Sequence, residues 1–215
     1  MPPPVNARIP LSLLEAIRRM DTPEEDTPEG DIETEFVQEL RNKRLGLSDT
    51  VYLQIRRYSD AVKRGQKIPY AEASGLGTLI GRRPDADALF RSAGRILASE
   101  VYGAVPSTHR TTIKTVPGLL ARPLALKHVK GISESDFGGS LERSGAFLTL
   151  KVPHSVTVNG APKSAGCVFY ESALQELLRL IIDGGGPVEH LLCTQRGDRQ
   201  CEWRAEWRAS GPLTH

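Results

Sequence analysis

A chain of 215 residues with 28 Lys and Arg against 26 Asp and Glu carries a net charge of +2, which argues against a protein held to nucleic acid by bulk charge. Apolar residues make up 39% and charged residues 25%, the balance of a globular chain rather than a disordered one. No apolar run approaches the roughly 18 residues needed to span a bilayer, the opening MPPPVNARIP has no basic-then-apolar leader pattern, and the expected compartment is the cytoplasm.

The first 35 residues divide in two. LSLLEAIRRM, residues 11–20, is a short amphipathic run with Leu13, Leu14 and Ile17 at helical spacing. Residues 21–35 hold eight acidic and no basic side chains, broken by Pro23, Pro28 and Gly30. Such a block reads as a solvated linker or as an acidic docking tail. The expectation is that 1–35 are flexible and dispensable for folding. Residues 36–84 then form a helical extension, and 85–210 the principal domain.

Ser48 can cap a helix running to about Arg64, with Gly65 as its stop. Val51, Ile55, Tyr58 and Val62 mark its buried face. Arg56, Arg57, Lys63 and Arg64 read as a solvated face, because no helix-turn-helix pattern accompanies them. The run GLGTLIG (75–81) fits neither a dinucleotide fingerprint nor a P-loop. Asp85 is a candidate cap for a helix closed by Gly103, in which Leu89, Ala93, Ile96, Leu97 and Val101 form an apolar stripe. Gly94 costs that helix about 1 kcal/mol relative to Ala, which a tight helix contact can offset.

Residues 104–145 carry weaker signals. Val116 to Val129 reads as a helix interrupted by Pro117 and Pro123, and Phe137-Gly138-Gly139 as a turn. Residues 146–158 (AFLTLKVPHSVTV) read as a strand that Pro153 bends or ends. A further helix runs from about Ser164 to Ile182, with Leu174, Leu177, Leu178 and Ile181 on one face. Val188 to Cys193 and Cys201 to Arg208 read as two strands joined at Arg196-Gly197-Asp198-Arg199. The predicted class is α+β, with N-terminal helices followed by a small antiparallel sheet and packed helices.

There are three cysteines, an odd number that makes no disulfide framework. A turn near Gly197 brings Cys193 and Cys201 together, and Cys167 sits at a helix N-terminus, where the dipole favours the thiolate. With His190 or Glu189 these residues supply ligand types that zinc accepts. No CxxC pair is present, and three small cysteines filling a core is the competing reading.

The segment CVFYESAL (167–174), a glycine break and VEHLLCTQRGDRQCEWR (188–204) resemble the 4-vinyl-reductase domain family. That family includes sensor domains of aromatic-responsive transcription activators and a stand-alone protein of bacteriochlorophyll gene clusters. It is distantly related to haem-nitric-oxide-binding and TRAPP-subunit folds. The resemblance implies a structural zinc held by Cys167, His190, Cys193 and Cys201, at gaps of 23, 3 and 8 residues that match the aromatic sensors. Histidine stands where the family has glutamate, and Glu189 is the alternative ligand. The resemblance also implies that 85–210 is a zinc-containing domain holding a small apolar or aromatic ligand between helix and sheet. Candidate lining residues are Phe147, Leu148, Val152, Phe169, Tyr170, Leu174 and Trp203.

A zinc with four protein ligands is structural rather than catalytic. His109, His128 and His154 stand isolated, without a GxSxG or HExxH motif. The expected function is therefore a zinc-stabilised sensor or carrier. A tetrapyrrole-pathway accessory that binds porphyrin, and a scaffold or assembly subunit, are the alternatives. Expected partners are the small ligand and a protein partner or second copy, without direct nucleic-acid contact.

Overall fold

The structure is a computed structural model that describes residues 1–21, 49–116, 118–158, 165–182, 184 and 186–207, with backbone alone for 49 and 118–120. Its elements in chain order are β1 (Val5–Asn6), α1 (Arg8–Asp21), α2 (Asp49–Lys63), β2 (Lys67–Ile68), α3 (Tyr70–Gly81) and α4 (Ala86–Gly103). Then come α5 (Ser107–Thr115), α6 (Gly118–Ser135), β3 (Ser140–Ser144), β4 (Phe147–Val152), α7 (Cys167–Ile182), β5 (Glu189–Leu192) and β6 (Cys201–Glu206). The class is α+β, as predicted. β1 and β2 form a two-stranded ribbon, and the other four strands form an antiparallel sheet in the order β3-β4-β6-β5.

Helix packing builds the molecule in layers. α1 packs on α4, α4 on α7, and α7 on β6 and β5. The α4–α7 contact is the most extensive between any two elements, and Gly94 permits it. A Cβ at that position would lie 2.3 Å from the Phe169 carbonyl oxygen and 3.0 Å from the Ala173 nitrogen. The missing side chain lets the two backbones approach, so the propensity lost at Gly94 returns as buried area. Phe90, Leu97, Phe169, Leu177 and Leu178 are completely buried in the resulting core.

The N-terminal expectation needs correction. Residues 8–21 form a helix whose Ile9, Leu13 and Ala16 are at most 1% exposed and belong to the main core. The amphipathic run is therefore a core helix, because its apolar stripe finds a partner surface on α4. Asp21, counted with the acidic block, ends this helix and accepts two hydrogen bonds from Arg83, at 2.7 and 2.8 Å. Arg83 also holds Asp85, at 2.8 and 2.9 Å. Asp85 precedes α4 as expected but makes no side-chain cap bond, because that guanidinium takes its carboxylate and holds its pKa below the usual range. The remainder of the acidic block, 22–35, and the first part of the expected helical extension, 36–48 with the expected cap Ser48, lie outside the described residues.

One further expectation shifts and another is met. α6 runs through Pro123, which removes one intrahelical donor, and buries Ala125, Val129 and Ile132 on its inner face. The strand expected over 146–158 stops at Val152, before Pro153. The GLGTLIG run lies inside α3.

Leu13→Ala should cost about 2–5 kcal/mol of folding stability, read by urea unfolding, and removal of residues 1–21 should abolish the cooperative transition. Gly94→Ala should also destabilise, by about 1–3 kcal/mol, because backbone rather than a yielding side chain opposes the new methyl.

Candidate metal centre

Period-two alternation in β6 places Cys201, Trp203 and Ala205 on the buried face and leaves Glu202, Arg204 and Glu206 only partly covered on the other. β5 runs antiparallel to it, with His190 opposite Trp203 and Glu189 opposite Arg204. His190 therefore shares the inner face with the cysteines. Glu189 faces outward, where its Oε2 accepts a 2.7 Å hydrogen bond from Arg204 and its side chain is 64% exposed. Geometry thus selects His190 over Glu189.

The ladder slips by one residue between His190 and Leu192, which pairs with Glu202. Beyond the slip the chain turns around Cys193. Its backbone N–H donates to Asp198 Oδ2 at 2.8 Å, and its carbonyl accepts from Arg196 and Asp198. Thr194–Arg196 form a single 3-10 turn, and Gly197 closes it at φ 92°, a conformation that disfavours a side chain. The side-chain amide of Gln195 donates to the Val158 carbonyl and ties the turn to the loop ahead of α7.

Cys167, the first residue of α7, meets this turn. Its Sγ lies 3.6 Å from that of Cys193. A disulfide requires about 2.05 Å, and all three cysteines are free and buried. Two sulfurs on one tetrahedral zinc, each about 2.3 Å from the metal, are about 3.8 Å apart. The spacing therefore suits a shared cation. Donor atoms of Cys167, His190 and Cys193 all fall within 4.8 Å of one another and could hold a metal ion. Cys201 stands beside this trio: its thiol interacts with that of Cys193, and its Sγ receives the Thr194 N–H at 3.5 Å.

The imidazole of His190 stacks on Trp203, with centroids 5.1 Å apart and planes 15° apart. Its Nε2 is buried without a hydrogen-bond partner. Burial, followed by the charge of Arg196, pushes its pKa down, and the ring hydrogen-bonds the Leu192 backbone. A neutral imidazole oriented by a backbone bond and presenting a free nitrogen is the form that ligates metal. Burial pushes the Cys167 and Cys201 thiols up, and neighbouring cysteines add to the rise. A divalent cation among them would reverse that balance, because it favours the thiolates.

Of the seven residues expected to line a ligand pocket, Leu148, Val152, Phe169, Tyr170, Leu174 and Trp203 are completely buried in one core. Their rings touch: Phe169 meets Tyr170 edge-on at 5.0 Å, and Tyr170 lies 5.2 Å from Trp203. Phe147 is a correction. It is 39% exposed, with Arg204 over its ring at 5.2 Å. Adjacent strand residues point to opposite faces, so Phe147 and Leu148 cannot both face inward. A surface cleft of about 500 Å³ opens beside the donors, lined by Arg83, Asp87, Cys167, Val168, Glu171 and His190 among others.

Sequence reasoning missed Asp198 and Thr194 as supports of the site. An Asp five residues after a cysteine and directly after Gly197 is the signal that was available. It also took His109 and His128 as isolated, yet α5 and α6 bring their rings to 5.0 Å. His154 meets Tyr70 edge-on.

No protein-family model, no curated protein and no solved structure matches the chain.

His190→Ala or Cys193→Ala should sharply reduce the metal content of freshly purified protein, whereas Glu189→Ala should leave it unchanged, as read by elemental analysis. A second expectation concerns pH. Burial first, then His109 and Lys127, hold the His128 pKa below its ordinary value. The folded state then binds fewer protons than the unfolded chain, so this contribution is complete above about pH 6.5 and declines as pH falls below it. His128→Gln should flatten the acid-side fall in melting temperature.

Proposed function

We propose that this chain is a zinc-stabilised small-molecule-binding protein, acting as a sensor or carrier rather than as a catalyst. The observation that carries the reading is the convergence of Cys167, His190 and Cys193 at the junction of α7 with the β5–β6 hairpin. Cys201 completes the set in this proposal. Four protein donors leave no position for substrate or water, so the metal's contribution is to folding.

The ligand half of the proposal rests on the buried aromatic cluster of Phe169, Tyr170 and Trp203. These rings pack on one another in the core, so a flat apolar or aromatic molecule would seat in the cleft beside them. The cleft beside Cys167 and His190 adjoins that cluster, since His190 stacks directly on Trp203. The resemblance to the 4-vinyl-reductase family favours the same ligand class, with phenols and porphyrins as the first compounds to try.

Native mass spectrometry should find one zinc per chain, and chelation should lower the melting temperature. A thermal-shift screen of phenols, porphyrins and fatty acids should find a stabilising compound, because a ligand bound only by the folded state raises apparent stability. Unchanged melting after complete chelation would overturn the structural role. A screen in which no apolar class stabilises the zinc-loaded protein would overturn the ligand-binding role.

A further inference from the structure

Helix α2 has two faces. Tyr58 and Ala61 are buried, with Val51, Ile55 and Val62 packed against them. On the other side Leu53, Arg56, Asp60 and Arg64 follow one another at three- and four-residue steps, so they form one stripe, with Arg57 beside Arg56. This stripe is one wall of a groove of about 490 Å³ whose other wall is residues 66–69, with Lys67 among them.

The charges in this groove are unequal. Arg57 is engaged: its guanidinium reaches both carboxylate oxygens of Glu72, at 3.0 and 3.1 Å. Asp60 lies 3.9 Å from Lys63. Arg56, Arg64 and Lys67 are exposed, and they have no ion-pair partner among the described residues. Leu53 adds an apolar side chain that is 60% exposed, and the adjoining Tyr52 is 67% exposed. Surface leucines occur singly on most proteins. Here the exposed Leu53 lines a concave slot together with three cations that have no ion-pair partner among the described residues, which is the composition of a recognition surface.

We infer that the groove between α2 and β2 is a docking site for an acidic, extended peptide segment of a partner protein, with carboxylates on Arg56, Arg64 and Lys67 and an apolar side chain against Leu53. Charge complementarity and shape select this occupant. Guanidinium forks match carboxylates two oxygens at a time, and the Arg57–Glu72 pair shows a carboxylate held in that manner at the groove itself. A slot of this volume accepts side chains. A bilayer surface or a nucleic-acid duplex would ride over its rim, and Asp60 inside it opposes a continuous run of phosphates. The inference stands apart from the metal and from the ligand proposed above.

The test uses the full chain and a fluorescein-labelled peptide of alternating Glu and Leu, with a Gln-and-Leu peptide as the neutral control. Fluorescence anisotropy should show saturable binding of the acidic peptide that weakens with added salt. Arg56→Glu combined with Arg64→Glu should weaken it roughly tenfold or more, since unlike pairs become like pairs. Arg122→Glu combined with Lys130→Glu, a reversal of equal charge on exposed positions of α6, should leave it within about twofold. Circular dichroism melting should be unchanged in the first pair, whose side chains are exposed. Equal binding of the neutral peptide, or equal loss in both double variants, would overturn the site. Phosphatidylserine vesicles or an oligonucleotide binding more tightly than the acidic peptide, with the same dependence on Arg56 and Arg64, would overturn the assigned occupant.

Discussion

The pairing of β6 with β4 on one side and β5 on the other decides which side chains meet α7. Val152 stands opposite Cys201, Leu150 opposite Trp203 and Leu148 opposite Ala205, so the inner face of these two strands is apolar. The same alternation carries across to β5, where it turns His190 inward and sends Glu189 out to Arg204. A shift of a single residue in this register would exchange the two and place a carboxylate against Trp203. The fold and the ligand set are therefore specified together. The apolar pattern that makes the sheet bury one face also aims the imidazole at the cysteines.

Three buried cysteines and a buried imidazole nitrogen without a partner form an uneasy core by themselves. Burial already pushes the Cys167 and Cys201 thiols toward the protonated form, and a buried, unsatisfied nitrogen costs free energy that the surrounding apolar contacts cannot return. The supports around the cluster are polar and directional: Asp198 on the Cys193 N–H, and the Thr194 N–H on the Cys201 sulfur. Such bonds orient sulfur and backbone, whereas a purely apolar core would gain nothing from them. They have the character of the outer layer that fixes ligands around a metal. The three cysteines share one core with the apolar residues of α1, α4 and α7, at the end where the β5–β6 hairpin meets the first turn of α7.

Legibility in the sequence followed the strength of the local pattern. α4 and α7 were readable because long apolar stripes end at clear stops, and Gly94 pointed to a tight helix contact, which α7 supplies. The hairpin was readable because its turn residues and cysteine spacing agree. α1 was misjudged: its stripe is short, and the acidic run that follows suggested a solvated segment, whereas burial against α4 depends on a partner 80 residues away. β3 gave no signal because SLERS buries only Leu141 and owes its place at the sheet edge to the turn at Gly145. α5 buries only Ile113 and shows almost no apolar period. Phe147 was assigned to the wrong face because residue type outweighed alternation.

Arg83 connects several of these parts. It donates to Asp21 at the end of α1 and to Asp85 on the approach to α4, and it also borders the cleft beside Cys167 and His190. Its side chain is 34% exposed, so each ion pair is screened and contributes no more than about 1 kcal/mol. Its importance is therefore geometric. A planar fork that holds two carboxylates fixes the direction in which α1 ends and the wall against which any molecule in the cleft must rest. Glu171, one turn into α7, is tied to Arg91 on α4 at 3.3 Å and borders the same cleft. The cleft is thus framed by cross-links between helices rather than by loose side chains. Its shape is set by the same α4–α7 contact that Gly94 makes possible.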